Sequence, residues 1–186
     1  MMPTAEALGL AQIRLDAESA GSGKLFVPAG SDSTLVGAQA GLILGVEGGA
    51  DYVSDNDLVF NVKWVFKSDG LIFPALAIGA QNIGADTDTE YYAVATKSIL
   101  SSKLAKVHGG VMRDLNGDTF FMYGASGTIG PVVLRADSVT GGEHEGFAVG
   151  AGVSLHNIDI IGTHYDYTNH SDENTVSVSY TFKPLH

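Results

Sequence analysis

Residues 58–67 read Leu58-Val59-Phe60-Asn61-Val62-Lys63-Trp64-Val65-Phe66-Lys67. Large apolar side chains occupy every second position, and polar or basic ones occupy most of the positions between them. A β-strand points successive side chains to opposite faces, so this alternation predicts a strand with one fully apolar face. Only Val59 and Val65 interrupt the second face.

The same period of two recurs along the chain and predicts an all-β protein. It is clear at 35–47, 147–156 and 176–183, and less regular at 71–81, 90–100, 104–113, 119–126, 131–137 and 158–167. With a fair strand at 8–17 and a weak one at 23–28, the count is about 12, or 10 if these first two lie outside the sheet. No segment has the period of a convincing amphipathic helix.

The two faces of these strands indicate where the protein resides. The face opposite the apolar one is rich in Gly, Ala and Ser, which form a poor solvent-exposed surface but fit the crowded lumen of a narrow barrel. The apolar face would then meet lipid. We therefore predict a closed antiparallel up-and-down transmembrane β-barrel, a single domain over residues 1–186. A soluble barrel that exposes its Gly-rich face is the alternative.

Composition excludes several other classes. The chain has 186 residues, no Cys and a formal net charge of -11. The absence of Cys excludes a disulfide framework, and the acidic charge argues against a nucleic-acid partner. The longest run without a polar side chain, 71–80, is shorter than the ~20 residues of a membrane-spanning helix. The start, Met1-Met2-Pro3-Thr4, carries no secretory signal, which fits a cytoplasmic protein or a mature form preceded by an added Met, and the rest of the chain favours the mature form.

The connections between the predicted strands sort by length and by charge. Long polar connections at 48–57, 82–90, 114–118, 138–145 and 168–174 alternate with tight ones, as in outer-membrane barrels with short periplasmic turns. The long connections hold twelve of the 21 acidic residues and no basic one. We expect the following of these acids to attract cations to one rim: Asp51, Asp55, Asp86, Asp88, Glu90, Asp172 and Glu173.

Two stretches carry a family resemblance. The C-terminal alternation Val176-x-Val178-x-Tyr180-x-Phe182 resembles the signal by which insertion machinery reads bacterial outer-membrane barrels, although four residues follow Phe182. Residues 73–84, with a Pro and two Gly, and the Tyr-containing 90–97 resemble YjbH-type barrels, which are associated with exopolysaccharide export. The resemblance implies residence in the bacterial outer membrane and an envelope or export role, and no catalysis.

The lumen and the loops hold the candidate functional residues. We expect these charged residues to face the lumen: Arg14, Glu47, Lys63, Lys67, Lys97, Arg113, Arg135 and Asp166. Ser154, His156 and His164 are also predicted to face inward, but no nucleophile motif accompanies them, so we predict no enzyme. Residues 86–90 carry alternating carboxylates without the spacing of a calcium loop, and we predict neither a metal nor a cofactor.

These observations favour a small passive channel or an envelope export accessory. The alternative is a structural or surface-interaction barrel with a closed lumen and acidic external loops, and a third possibility is a barrel enzyme that acts on lipid. The expected partners are membrane lipid or detergent and the outer-membrane insertion machinery. The sequence leaves open whether the lumen conducts or is filled by its own side chains.

Overall fold

The computed structural model describes residues 3–24, 27–28, 33–53, 57–84, 89–99, 104–141, 145–169 and 171–183. Fourteen β-strands lie within them: β1 (Ile13–Gly21), β2 (Gly23–Lys24), β3 (Val27–Pro28), β4 (Ser33–Gly41), β5 (Val46–Val53), β6 (Asp57–Lys67), β7 (Ala75–Ile83), β8 (Glu90–Ser98), β9 (Ala105–Arg113), β10 (Thr119–Ile129), β11 (Val132–Thr140), β12 (Gly146–Leu155), β13 (Ile158–Tyr167) and β14 (Glu173–Phe182). Within the same ranges no helix is long and apolar enough to cross a membrane.

Twelve of the strands form a closed antiparallel up-and-down barrel, which confirms the predicted fold class. β4 to β14 pair in chain order, and β1 completes the ring by pairing with both β4 and β14. The seam places Ile13 opposite Phe182, and we call that end of the barrel the terminal rim. The opposite end is the distal rim. Closure leaves no strand edge unpaired, as a barrel in lipid requires.

The twelve strands are not the twelve that the sequence predicts. The predicted strand 35–47 is two strands, β4 and the start of β5, joined by the turn 42–45. Leu44 and Gly45 have φ of 56° and 77° there, the left-handed region that reverses the chain. A four-residue turn preserves the parity of the alternation, so the period of two runs across it unbroken. The segment 23–28 contributes the separate hairpin β2–β3 and no barrel strand.

Other predicted boundaries are also wrong. Residues 48–53 lie in β5, so no long connection covers 48–57. The predicted strand at 8–17 begins only at Ile13, and the one at 71–81 begins only at Ala75, directly after Pro74. The connection at 68–74 is therefore longer than the distal connection at 114–118, and the predicted strict alternation of long and short connections does not hold.

The outside of the barrel is apolar, as the alternation in β6 predicts. Phe60, Val62 and Trp64 are each more than 40% exposed on the outer face. Val36, Val149 and Val153 lie on the same outer face of their strands. Exposed aromatic and aliphatic side chains in this density form the surface that a membrane barrel presents to lipid.

Candidate functional site: the barrel lumen

The barrel encloses a cavity of about 610 Å³. Its lining comes from nearly every strand of the ring, because every second residue of each strand points inward. Arg14 and Asp16 of β1, Lys63 of β6 and Arg135 of β11 all reach it. A second cavity of about 250 Å³ lies toward the distal rim, where Tyr165 and Tyr167 stack with ring centroids 5.7 Å apart.

Acidic residues outnumber basic ones around the larger cavity. Seven acidic side chains line it, against three basic ones and His108. The acids are Glu6, Asp16, Glu18, Glu47, Asp51, Asp137 and Asp159, and the bases are Arg14, Lys63 and Arg135. In a lumen with low-dielectric walls this excess produces a negative potential.

The basic residues of β1 and β6 are paired with carboxylates. Arg14 Nε lies 3.1 Å from Asp16 Oδ2, and its Nη2 donates a hydrogen bond to Gln39 Oε1 at 2.7 Å. Lys63 Nζ lies 3.2 Å from Glu47 Oε1, and the two residues face each other in the β5–β6 register. Pairing lowers the cost of holding charges inside the barrel.

Of the eight residues expected to face the lumen, Arg14, Glu47, Lys63 and Arg135 line the cavity. Lys67 instead lies at the terminal rim, with its Nζ 3.8 Å from the ring centre of Phe73. The other three require correction, and each occupies the outer face.

The reason for each correction is strand parity. In β8 the buried Thr96 points inward, so Lys97 points outward and bonds Asp69 Oδ1 at 3.0 Å. In β9 the inward residues are His108 and Met112, which places Arg113 outside. In β13, Asp159, Ile161 and Tyr165 line the cavities, so Asp166 is on the outer face, opposite Phe147.

The acids expected on an external rim separate into three groups. Asp51 and Glu90 are inside the barrel: Asp51 accepts a hydrogen bond from Asn61 at 2.5 Å, and Glu90 accepts one from Gln81 at 2.7 Å. Asp172 lies in the distal connection 168–172, and Glu173 begins β14 there. Asp55, Asp86 and Asp88 lie outside the described residues.

The catalytic candidates do not form a set. Ser154 points inward, whereas His164 lies on the outer face with its Nδ1 3.1 Å from Asn174 Oδ1. His156 occupies the tight turn 156–157 with φ of 57°. In the part of the chain that the structure describes, no three His, Asp or Glu side chains are grouped to hold a metal ion.

Sequence reasoning missed one component of the lumen entirely. Residues 3–8, of which all but Leu8 precede the first predicted strand at 8–17, enter the barrel, and five of them line the larger cavity: Pro3, Thr4, Glu6, Ala7 and Leu8. No periodicity or motif marks this segment. The one signal that could have indicated this segment lies in other strands: β7 to β10 carry inward-facing apolar residues, and the segment covers them.

Comparisons with known proteins identify a porin-type barrel as the class to which the fold corresponds. The KdgM porin matches with a TM-score of 0.65 at 9% identity, over 92% of this chain and 99% of that one. The same porin in complex with disordered oligogalacturonate matches with a TM-score of 0.64, also at 9% identity and over 92% and 99% of the two chains. At this identity the likeness shows the fold alone.

A further solved structure is more remote. An engineered variant of the Rhodopseudomonas blastica porin has a TM-score of 0.49 at 14% identity, and covers 81% of this chain and 56% of its own. No family model and no curated protein matches the sequence. The resemblance of residues 73–97 to YjbH-type barrels therefore stays a prediction.

Proposed function

We propose that this protein is a passive channel of the bacterial outer membrane that favours small cations. The observation that carries the proposal is the lining of the larger cavity, with seven acids against three bases inside a closed barrel. A negative lumen with low-dielectric walls raises the local concentration of cations and lowers that of anions.

The outer surface supports the location in a membrane. Apolar residues on the outer face form a continuous surface, and Trp64 and Phe66 extend it toward the terminal rim with ring centroids 5.7 Å apart. Burying such a surface in lipid removes it from water, whereas a soluble protein rarely exposes so large an apolar area.

The ligand of the KdgM porin is a poor candidate for this chain. That porin has been solved with oligogalacturonate, a polymer whose sugar units carry carboxylates. The acidic lining here would repel a chain of negative charges, because like charges in a low-dielectric lumen are costly to bring together. We propose that the two proteins share a scaffold and differ in the sign of the solute charge that they favour.

The test is a reversal-potential measurement in a planar bilayer across a potassium chloride gradient. We expect the reversal potential to have the sign of cation preference, and the double variant Glu18→Gln/Asp51→Asn to move it toward zero. Asp166→Asn is the control, since it removes one carboxylate charge from the outer face and should leave the potential nearly unchanged. Anion preference of the unmodified protein would overturn the proposal.

A second candidate is a structural or surface-interaction barrel with a closed lumen. The observation that favours it is the segment 3–8, which occupies part of the interior. On this reading Asp86 and Asp88 would bind Ca²⁺ weakly, because neighbouring carboxylates relieve their repulsion by sharing a hard cation. Absence of conductance, together with Ca²⁺ binding that is lost in a double Asp86→Asn/Asp88→Asn variant, would select this candidate.

A further inference from the structure

Part of the inner wall is apolar, which is unusual for a lumen that passes polar solutes. Six inward-facing residues of β7 to β10 form this surface, which we call the apolar wall: Ala75, Ala77, Val94, Met112, Phe120 and Met122. None of them is more than 6% exposed. In an open barrel these side chains would contact water, so something inside the barrel must cover them.

The cover includes the chain itself. Ala5 is 1% exposed and packs in one cluster with the apolar wall. We call Pro3–Leu8 the inner segment. Pro3 lines both cavities, so the inner segment extends from the terminal rim to the level of Asn82 and Glu90 near the distal rim.

Three polar contacts from three different strands hold the inner segment. The Ala5 N–H donates a hydrogen bond to Thr96 Oγ1 at 2.9 Å, and the Leu8 N–H donates one to Glu47 Oε2 at 2.8 Å. The Glu6 carboxylate forms an ion pair with Lys106. Backbone groups that enter a barrel need such partners, because a buried N–H without an acceptor has lost its hydrogen bond to water and gained none in return.

The end of the barrel wall also accommodates the inner segment at the point where the segment enters the barrel. At the terminal rim the Ala11 N–H donates to the Gly41 carbonyl at 2.9 Å, and the Gly41 N–H donates to Gln12 at 2.9 Å. A Cβ atom at position 41 would collide with the carbonyl oxygen of Gly9. Glycine at the end of β4 therefore lets the chain pass over the rim and turn inward.

We propose that the inner segment is a built-in filter that covers the apolar wall and confines permeation to the acidic side of the lumen. The inference rests on the proposed channel function and adds to it the element that sets pore width and selectivity. Without the inner segment the pore is wider, and apolar residues replace Glu6 along one side of it. Ion flow should then rise while the preference for cations falls.

The position of the inner segment inside the barrel can be tested without measuring any channel activity. Because the chain has no Cys, a single thiol at Ala5→Cys can be labelled with a charged, water-soluble reagent in detergent. We expect labelling to be about tenfold or more slower than at Ser68→Cys, since a minor open state of about 10% or less limits the reaction. Equal rates at the two positions would overturn the inference.

Substitutions in the Glu6–Lys106 ion pair should change the labelling rate in the same experiment. Lys106→Glu should accelerate labelling of Ala5→Cys by about two- to fivefold, the effect expected from a partly exposed pair. The charge swap Glu6→Lys/Lys106→Glu should restore protection. If Ala5→Cys does not fold, Met112→Cys reports from the apolar wall, where deletion of residues 3–8 should expose the thiol.

Bilayer recordings then test the filter itself. Deletion of residues 3–8 should raise the single-channel conductance by about twofold or more, because one extended chain fills much of a narrow 12-stranded lumen. Asp166→Asn, on the outer face opposite Phe147, is the control and should conduct like the unmodified protein. Equal conductance and equal cation preference with and without residues 3–8 would overturn the filter. If Ala5→Cys is protected from labelling but neither the full-length nor the shortened protein conducts, the proposed channel is overturned and the position of the inner segment inside the barrel is supported.

Discussion

Substitutions at Val62 and Ser179 test which face of the barrel wall each of these side chains occupies. Val62 is 42% exposed at the middle of β6 on the outer face, whereas Ser179 pairs with Asp16 on the inner face. We expect Val62→Arg to lower the free energy of unfolding in lipid vesicles by about 2–4 kcal/mol, because the charge enters the bilayer midplane. Ser179→Arg should cost clearly less in the same urea titration. Equal losses would contradict the assigned faces.

Asp69 is a second position where local contacts make a measurable prediction. Hydrogen bonding from Ser98, followed by that from Lys97, lowers the pKa of Asp69 to about 2. A depressed folded pKa means that this carboxylate stabilises the terminal rim above its unfolded pKa of about 4 and loses that effect as pH falls toward 2. An NMR titration should place the Asp69 midpoint near 2.

Lys97→Met provides the comparison for that titration. It should raise the Asp69 midpoint only part of the way toward the ordinary value, since the bond from the Ser98 N–H, 3.1 Å from Oδ2, remains. A midpoint unchanged by Lys97→Met would show that the Lys97 contact does not form.

At the scale of single elements, the turn 42–45 separates β4 from β5. Gly45 has φ of 77°, and a Cβ there would collide with the Val65 carbonyl oxygen of the neighbouring β6. We expect Gly45→Ala to lower the free energy of unfolding by about 1–3 kcal/mol, the cost of a left-handed non-glycine residue under steric pressure.

Gly70→Ala is the matched control for this turn. Gly70 lies in the next connection of the same rim, and an added Cβ would meet no atom closer than the Phe73 carbonyl oxygen at 4.0 Å. Its substitution should leave stability nearly unchanged in the same titration. A loss as large as that of Gly45→Ala would mean that backbone freedom at position 45 is not what the turn requires.

Elements also differ in what covers their inner faces. β6 presents Asn61 and Lys63 to the lumen, whereas β10 presents Phe120 and Met122, which are buried with Ala5. The two sides of the barrel are therefore built for different neighbours. β6 faces the polar cavity, and β10 faces a segment of the chain.

For the whole molecule, the charge of the lumen predicts how ion preference depends on salt. The acidic excess acts through a potential that dissolved ions screen, with a Debye length of about 10 Å at 0.1 M and about 3 Å at 1 M. We expect the cation preference in reversal-potential recordings to weaken over that range. A preference that does not change with salt would point to a narrow site that binds ions directly instead of a diffuse field.

The class of fold could be predicted from the amino-acid sequence alone. Alternation over 58–67 and over the other predicted strands requires strands with one apolar face, which a closed barrel buries either in lipid or, in the soluble alternative, in its own interior. The expected count of 12 holds, although 35–47 conceals a turn and 23–28 lies outside the barrel. Four of the residues that the sequence predicts to face the lumen do line the cavity: Arg14, Glu47, Lys63 and Arg135. Their strands have either one clearly apolar face or small residues beside them on the inner face.

Where both faces of a strand are mixed in polarity, long-range contacts in the folded barrel determine which face points inward. In β8 the apolar Tyr92 and Val94 point inward and Lys97 outward, because the inner segment and the apolar wall bury the inward side chains. A period of two divides a strand into two faces, but it does not say which face meets the lumen. That choice depends on contacts between residues far apart in the chain, such as Ala5 with Thr96, which no local pattern contains.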